Sequence, residues 1–394
     1  DTDGDARYLI RDIVLRDGGD VDPYATGGSG MIFGSVGGVE IRSVAFQDAA
    51  FTNGIVFDAL AGAEVGIFDS TIRSDDDGIS VKSLAGNSLV QIAGNTIDSA
   101  GGSGIAFQEL VSSSGVLVMD NIVDGGGLYG IGFQGPVTEA AVAITGNPHI
   151  QGLLAGIGFD DAINGKSDVR IEVNGSATVS GAAYDGSQPV ESLDDFAITD
   201  GISSVTGAAI ALYGGIGGSA SVTISRNMIG GSQNGVVIAD VGSSGITSIA
   251  NNFILGNTLD GIAFTGAVTS PVQVLQNFLA DNGRDGVHVA ASAAIGTRNL
   301  VVRLNFMPGA AFDHGNAGFG YSLEGTGHAD IEYNWWGSTA FAAVSGAING
   351  QAAPMTALLR GDDTNMVAVA AAAGTGFEPF AFQSHLTVAV ERTE

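Results

Sequence analysis

The apolar positions of the chain repeat with a period of about 26 residues. A glycine is followed by an apolar residue, a small residue and a second apolar residue, and within each uninterrupted run the glycines are 24 to 26 residues apart. The motif occurs at Gly54-Ile55-Val56-Phe57, Gly78-Ile79-Ser80-Val81, Gly104-Ile105-Ala106-Phe107, Gly130-Ile131-Gly132-Phe133, Gly156-Ile157-Gly158-Phe159, Gly235-Val236-Val237-Ile238, Gly261-Ile262-Ala263-Phe264 and Gly286-Val287-His288-Val289. A fixed period of this length is typical of stacked-repeat proteins.

A second motif runs in phase with the first. It has two apolar residues separated by one residue, and an asparagine follows after two or three more, as in Val90-Gln91-Ile92 with Asn95. The recurring asparagines are Asn95, Asn121, Asn147, Asn227, Asn252, Asn277, Asn305 and Asn334. Stacked asparagines can bond amide to amide between neighbouring strands, so we interpret this series as a structural ladder without a ligand role.

Each repeat therefore contains at least two short strands with alternating apolar character, and helical spacing is not sustained. These features predict an all-β protein, a parallel β-helix of about 10 or 11 coils with terminal caps. Coils stack at the ordinary strand spacing of about 4.8 Å, which gives a rod on the order of 50 Å long. The glycine before each strand suits either a bend where a side chain would clash or a positive φ.

The repeat pattern divides the chain into segments. Residues 1–38 are predicted as an N-terminal cap region, and 39–336 as the β-helix. The period fails at 174–206, where a polar, acidic stretch predicts an irregular loop. The alanine-rich segment 337–394 is predicted as a C-terminal cap, which stacked folds need to cover their last coil.

Composition narrows the classes of partner. The chain has 394 residues, 42 acidic against 14 basic, and a formal net charge of −28. This charge repels phosphates and anionic lipids, so we expect neither nucleic acid nor a membrane as partner. No apolar run approaches the 18 residues that a membrane-spanning helix needs, and no leader segment is evident. The absence of cysteine excludes disulfides. No cofactor is expected, although Asp1, Asp3 and Asp5 could bind calcium through carboxylate oxygens.

The repeats resemble those of the right-handed parallel β-helix proteins of the pectate-lyase-like superfamily. The segment Tyr333-Asn334-Trp335-Trp336-Gly337-Ser338 is similar to a terminal-coil signature of large secreted bacterial surface proteins. The resemblance covers roughly residues 39–385. It implies a right-handed coil and an extracellular or cell-surface location in bacteria. It does not fix an activity, because this fold hosts enzymes and adhesins alike.

The best catalytic candidates are Asp75, Asp76 and Asp77, with Lys82 nearby. The three aspartates resemble the paired-aspartate segment of polygalacturonases, which cleave glycosidic bonds with carboxylates. The matching positions one coil earlier and one coil later lack the aspartate and the histidine of that family. Lys82 leaves open a lyase reaction, in which a basic residue abstracts a proton. The alternative that we favour is an aspartate-rich turn without catalysis.

The middle residue of each glycine-motif strand points outward, and most of these residues are small and uncharged. We therefore predict a smooth exposed face, suited to packing against another chain or a flat surface. His288, on this face, is predicted to be an exposed residue without a role, since the five histidines lie on separate coils.

These observations favour a non-catalytic extracellular β-helix, structural or adhesive, in a bacterial surface protein, a matrix fibre or a surface layer. Its expected partners are other protein chains or glycans of the cell surface or extracellular matrix, and it could self-assemble. The alternatives are a polysaccharide-active enzyme, either a glycoside hydrolase or a lyase, and a glycan-binding module.

Overall fold

The computed structural model of the protein describes residues 7–15, 28–46, 51–99, 101–179, 182–183, 196–310, 314–331, 334, 336 and 347–349. These residues form strands and turns without any helix, and the strands stack as a parallel β-solenoid of about 10 turns. The predicted fold is therefore confirmed. The described part of the chain offers no helix long and apolar enough to cross a bilayer.

Each regular coil contributes strands to three parallel sheets, which we number in the order in which the chain visits them. Sheet 1 precedes the asparagines, and its strands are Arg7–Arg11, Gly38–Arg42, Glu64–Phe68, Leu89–Ala93, Gly115–Met119, Ala141–Thr145, Asp168–Glu172, Ser221–Ser225, Thr247–Ala250, Val272–Leu275, Ala294–Arg303 and Thr326–Asp330. Sheet 2 follows the asparagines, and its strands are Val14–Leu15, Ala45–Phe46, Thr71–Ser74, Thr96–Ser99, Ile122–Gly125, His149–Gly152, Ile202–Ser204, Met228–Gly230, Phe253–Leu255 and Phe278–Ala280.

Sheet 3 contains the glycine-motif strands. Its strands are Met31–Phe33, Ile55–Ala61, Ile79–Ala85, Ile105–Phe107, Val111–Ser112, Tyr129–Phe133, Val137–Thr138, Ala155–Phe159, Ile163–Asn164, Ala208–Leu212, Asn234–Ile238, Ile262–Phe264, Val287–Val289, Tyr321–Leu323 and Ile348–Asn349. The strands of sheet 2 were not predicted separately, because they are short and follow the asparagines directly.

The stack extends on both sides of the predicted boundaries. Arg7–Arg11 pairs in parallel with Gly38–Arg42, so a coil of sheet 1 already lies within the predicted N-terminal cap region. Ile348–Asn349 pairs with Tyr321–Leu323, within the predicted C-terminal cap. Apart from residues 347–349, segment 337–394 lies outside the described residues.

The segment predicted as an irregular loop contains regular structure. Strands Ser176–Val179, Ala182–Ala183 and Phe196–Asp200 form a small antiparallel sheet outside the stack. The coil resumes at Ile202–Ser204, which pairs with His149–Gly152. The extra residues therefore form an excursion between one strand of sheet 1 and the next strand of sheet 2.

The core consists of columns of identical or similar side chains. In sheet 3 the first and third residues of the motif point inward as predicted, so Phe107, Phe133 and Phe159 stack with ring centroids 4.6 Å apart. Offset or parallel contact between aromatic rings adds to the free energy gained from burying them. Each coil therefore buries its apolar residues against the same positions of its neighbours.

The motif glycines are required by close approach between coils. A Cβ atom on Gly78 would lie 2.4 Å from the Ile97 side chain and 2.6 Å from the carbonyl oxygen of Gly104 in the next coil. The backbone at Gly78 is not in the left-handed region. Of the two reasons predicted for this glycine, steric exclusion is therefore correct.

The turn between sheets 1 and 2 has one residue in the left-handed conformation, directly before each ladder asparagine from Asn95 to Asn305. Its φ is 54° at Asp120, 57° at Val173 and 61° at Leu304. A branched residue such as Val173 adopts this conformation at a cost of about 1 kcal/mol or more. The asparagine that follows must therefore contribute enough to hold the turn.

The asparagines form the predicted ladder along the turn between sheets 1 and 2. Nδ2 of Asn121 donates to Oδ1 of Asn147 at 3.1 Å and to the Ile92 carbonyl of the previous coil at 2.8 Å. Oδ1 of Asn121 accepts from the backbone N–H of Asn95 at 2.9 Å. The structural interpretation of these residues is confirmed, and Asn174 also belongs to the ladder, between Asn147 and Asn227.

A second, shorter ladder lies between sheets 2 and 3. Nδ2 of Asn257 donates to Oδ1 of Asn282 at 2.9 Å, and Nδ2 of Asn282 donates to Oδ1 of Asn316 at 2.8 Å. The sequence reasoning missed these residues, because the asparagine recurs in only a few coils and Asn316 follows after a longer interval.

Replacing Asn121 with alanine is expected to destabilise the protein by about 3 kcal/mol. The change removes the bonds to Ile92 and Asn147 and leaves the buried backbone N–H of Asn95 unpaired, which costs about 1–3 kcal/mol. Urea unfolding followed by circular dichroism measures the difference. Gln273→Ala, which removes an exposed amide from sheet 1, serves as control and should change stability little.

Replacing Thr247 with valine is expected to stabilise the protein by about 1 kcal/mol. Thr247 lies between Val222 and Val272 in an inward column of sheet 1, and its buried hydroxyl has no hydrogen-bond partner. Valine keeps the shape and removes the unpaired group. Differential scanning calorimetry tests this, with Thr223→Val on the outer side as control. An equal shift in both variants would contradict the explanation.

Candidate functional site on the outer face of sheet 3

The outer face of sheet 3 carries the middle residues of the glycine-motif strands. The sequence predicts an exposed smooth face there, but Ala106 is fully buried and His288 is only 3% exposed. Ala208, Ala211, Val237 and Ala263 belong to an apolar cluster that is separate from the core. The prediction of an exposed face is wrong, because these residues are buried and the ring of Tyr129, a residue of sheet 3 itself, covers Gly132 and Gly158.

Tyr129 covers the middle of this face. A Cβ atom on Gly132 or Gly158 would lie 2.5 or 2.6 Å from its ring, so only glycine leaves room for the ring. Its hydroxyl donates to Oδ1 of Asp160, one coil later, at 2.6 Å. Burial and the bond to Asp160 both raise the pKa of Tyr129. The middle of the face is therefore filled by the protein itself.

Asp77 lies at the N-terminal end of the same face, in the position directly before the motif glycine. Its Oδ1 accepts from the backbone N–H of Ser103 at 2.8 Å, and its Oδ2 accepts from Nε2 of Gln108 at 3.0 Å. Both partners belong to the next coil. Burial raises the pKa of Asp77, and the charge of Asp76 adds to that rise, while the hydrogen bonds oppose it.

The other candidate residues of this segment are exposed. Asp75 and Asp76 lie on the surface turn, where their N–H groups donate to the carbonyls of Phe51 and Thr52. Lys82 is also exposed, in the middle of the strand Ile79–Ala85. A catalytic role for these residues stays a prediction. Asp1, Asp3 and Asp5, the predicted calcium ligands, lie outside the described residues.

A second polar cluster lies at the C-terminal end of the face, around His288. Asp260 and Asp285 occupy the position before the glycine in successive coils, and both are buried. Oδ1 of Asp260 accepts from the Asp285 N–H at 3.3 Å, and Oδ1 of Asp285 accepts from the Phe319 N–H at 2.8 Å. The two carboxylates thus repeat the coil-to-coil bond that Asp77 makes to Ser103.

His288 lies between two carboxylates. Its Nδ1 lies 3.0 Å from Oδ2 of Asp285, and its Nε2 lies 3.8 Å from a carboxylate oxygen of Glu324 in the next coil. Asp285 is buried, whereas the Glu324 side chain is 51% exposed. Because Nδ1 points toward Asp285, Nε2 points toward Glu324, whose side chain is partly exposed to solvent.

Arg284 neutralises the first carboxylate of the cluster. Its guanidinium group binds both oxygens of Asp260, and its Nε lies 4.0 Å from Oδ2 of Asp285. The hydrogen bond to Asp260 raises the pKa of Arg284. Because a planar guanidinium matches a carboxylate with two parallel bonds, this pair fixes the turn of one coil to the next.

The cluster does not fit a divalent cation as it stands. Asp260, Asp285 and His288 each offer a ligand atom, and these atoms lie within 4.8 Å of one another. Both oxygens of Asp260 are bound by Arg284, however, and Oδ1 of Asp285 holds the Phe319 N–H. Arg284 therefore supplies the positive charge that a metal ion would bring.

Chemically, the cluster contains the parts of a general acid–base pair. An imidazole whose Nδ1 is held by a buried carboxylate can accept or donate a proton at Nε2. Glu324, which lies next to His288, could act as the second proton-transfer group of the pair. The same carboxylates, however, each bond to the next coil, which is a structural function that does not require a substrate.

The prediction that His288 is an exposed residue without a role is wrong. A signal for the cluster was present in the sequence, where Asp260-Gly261 and Asp285-Gly286 recur in adjacent coils and His288 follows the second glycine by two residues. What the sequence did not reveal is that Arg284 and Glu324 reach the same place. Their positions depend on turns that do not repeat.

Comparisons with known proteins leave the chain unassigned. No family model matches it, and neither a curated protein nor a solved structure is similar to it at a significant level. The resemblance to the pectate-lyase-like superfamily is therefore supported only in its coarse form, as a parallel β-helix repeat.

Replacing Asp77 with asparagine is expected to raise the melting temperature at neutral pH. The pKa of Asp77 is raised above its ordinary value of 3.8, so the folded state loses stability as pH rises from 3.8 through the raised pKa. Asparagine removes this cost, and the difference from the wild type should vanish at lower pH. Melting curves across that range test it, with the exposed Asp124→Asn as control. A difference that does not depend on pH would contradict the explanation.

Proposed function

We propose that the protein is a non-catalytic, extracellular β-helix with a structural or adhesive role in a bacterial surface protein, fibre or surface layer. The main observation behind the proposal is that the buried polar residues on the outer face of sheet 3 bond to the next coil. Asp77, Tyr129, Asp260 and Asp285 each bond to a group in the next coil. The polar groups that an enzyme would present to a substrate are here engaged in holding coils together.

Charge and composition support the location and the partners. A net charge of −28 disfavours nucleic acid and anionic membranes, and it favours solubility outside the cell. The chain contains no cysteine, and asparagine ladders hold its coils together. Such a chain can be stable in an oxidising compartment without disulfides. We propose other protein chains or extracellular glycans as partners.

A polysaccharide-active enzyme is the second candidate, and one observation favours it. His288 is held by Asp285 and faces Glu324, which is the arrangement that proton transfer to or from a sugar requires. In this reading the reaction would take place at the C-terminal end of the face, away from Asp75, Asp76, Asp77 and Lys82.

The two candidates predict different outcomes in one pair of experiments. Electron microscopy of the purified protein is expected to show filaments, lattices or coated surfaces. Incubation with neutral and acidic polysaccharides, with and without calcium, is expected to release neither reducing ends nor unsaturated products.

Cleavage that is lost in both His288→Ala and Asp285→Asn would overturn the structural proposal. His149→Ala is the matched control, because His149 also pairs with an aspartate, Asp200, but lies on sheet 2. Cleavage lost equally in all three variants would indicate unfolding, which circular dichroism would detect.

A further inference from the structure

The outer face of sheet 1 differs from that of sheet 3, because most residues of its central column are exposed or half-buried. The coil-to-coil register places one outward residue of each strand in a central column. From the second to the seventh strand this column reads Glu40, Gly66, Gln91, Leu117, Ala143 and Arg170. It has an acid at one end, a base at the other and uncharged residues between them.

The face is uneven at both ends, with a hollow of about 270 Å³ beside Gly66 and Phe68 and another over Ala143. Phe68 lies over Gly66, where a Cβ atom would be 2.3 Å from its ring, and the guanidinium of Arg42 lies 4.1 Å above the ring. These side chains make a ridge. Three strands further on, a shallow hollow of about 290 Å³ lies over Ala143, bordered by Leu117 and Arg170.

We infer that this face binds a second copy of the chain, related by a two-fold axis that runs parallel to the strands between Leu89–Ala93 and Gly115–Met119. The inference rests on the proposed structural function and specifies its partner. Such an axis reverses the order of the coils and places each column over itself. Glu40 then faces Arg170, and Gly66, with the ridge above it, faces Ala143 in the hollow.

A neighbouring column gives the same result independently. The last residues of the same strands include Arg42, Phe68, Thr145 and Glu172. Under the same axis Arg42 faces Glu172 and Phe68 faces Thr145. Each dimer therefore contains two Glu40–Arg170 contacts and two Arg42–Glu172 contacts. Within each copy Arg42 also pairs with Glu40, Arg170 with Asp168 and Arg226 with Glu172, so the contacts between copies join existing ion pairs.

The alternative two-fold axis, which runs along the stack of coils, is unfavourable. An axis along the stack would place each coil over its own equivalent, with Glu40 against Glu40 and Arg170 against Arg170. It would also bring Asp168 of one copy against Glu172 of the other. Like charges held together at an interface cost several kcal/mol, so charge decides between the two arrangements.

The size of the face sets the strength of the dimer. The axis superposes eight strands, from Arg7–Arg11 to Ser221–Ser225. Eight strands spaced about 4.8 Å apart, each about 16 Å long, give a footprint of roughly 600 Å² per copy, or roughly 1,200 Å² in total. This is at the lower limit of specific interfaces, so we expect a dissociation constant on the order of micromolar.

Sedimentation equilibrium at physiological ionic strength tests the pairing. The wild type is expected to dimerise, and Arg170→Glu should weaken the dimer at least about tenfold by facing Glu40 with a second acid. The double variant Glu40→Arg/Arg170→Glu should restore it. Arg73→Glu, on the exposed side of sheet 2, is the control and should leave the dimer unchanged. A monomeric wild type, or a double variant no better than the single one, would overturn the inference.

The orientation can be tested separately, because the chain contains no cysteine. The variant Glu40→Cys/Arg170→Cys should form a covalent dimer with oxidised glutathione, because the two positions face each other across the axis but lie five strands apart within one chain. Arg170→Cys alone should not, and a covalent dimer from Arg170→Cys alone would overturn the proposed axis. Circular dichroism melting establishes that the variants are folded.

Failure of this inference can be told apart from failure of the proposed function. A monomeric protein that forms filaments or coats surfaces would refute the dimer and leave the structural role standing. A dimer that also cleaves polysaccharides would support the interface and overturn the structural role.

Discussion

The structure depends on the register between successive coils, in which each residue meets the same position one coil away. This register is why the core forms columns, such as the stacked rings of Phe107, Phe133 and Phe159. It is also why one asparagine per coil is sufficient, since Asn121 satisfies groups both below and above it. A side chain that bonds well to its own equivalent is stabilised at every coil, so the same residue recurs.

The same constraint explains the covered face of sheet 3. Asp77 and Tyr129, which precede the motif glycine, bond to the next coil, and His288 approaches Glu324 of the next coil to within 3.8 Å. Tyr129 can lie flat only because its neighbours are Gly132 and Gly158. The polar clusters are thus variations within the repeat, and they keep its register.

The fold could be predicted from the sequence because the repeated features, the motif glycine and the ladder asparagine, each have one physical cause. Asn174 was missed, although it follows the ladder spacing, because the period fails directly after it. The burial of Ala106 and His288 could not be predicted, since strand alternation places the middle residue on the outer face but does not show what lies over it. The cluster of Arg284, Asp260 and Glu324 was missed because long side chains from unlike turns bring it together.

The excursion that begins after Asn174 shows how the fold accommodates added length. Asn147, Asn174 and Asn227 remain bonded in sequence although the chain leaves the stack between the last two. The entropic cost of a loop rises only slowly with its length, so the stack is little affected by how many residues the loop holds. This turn is consequently a natural attachment point, where evolution or an engineer could add a whole domain to the rod without changing its coils.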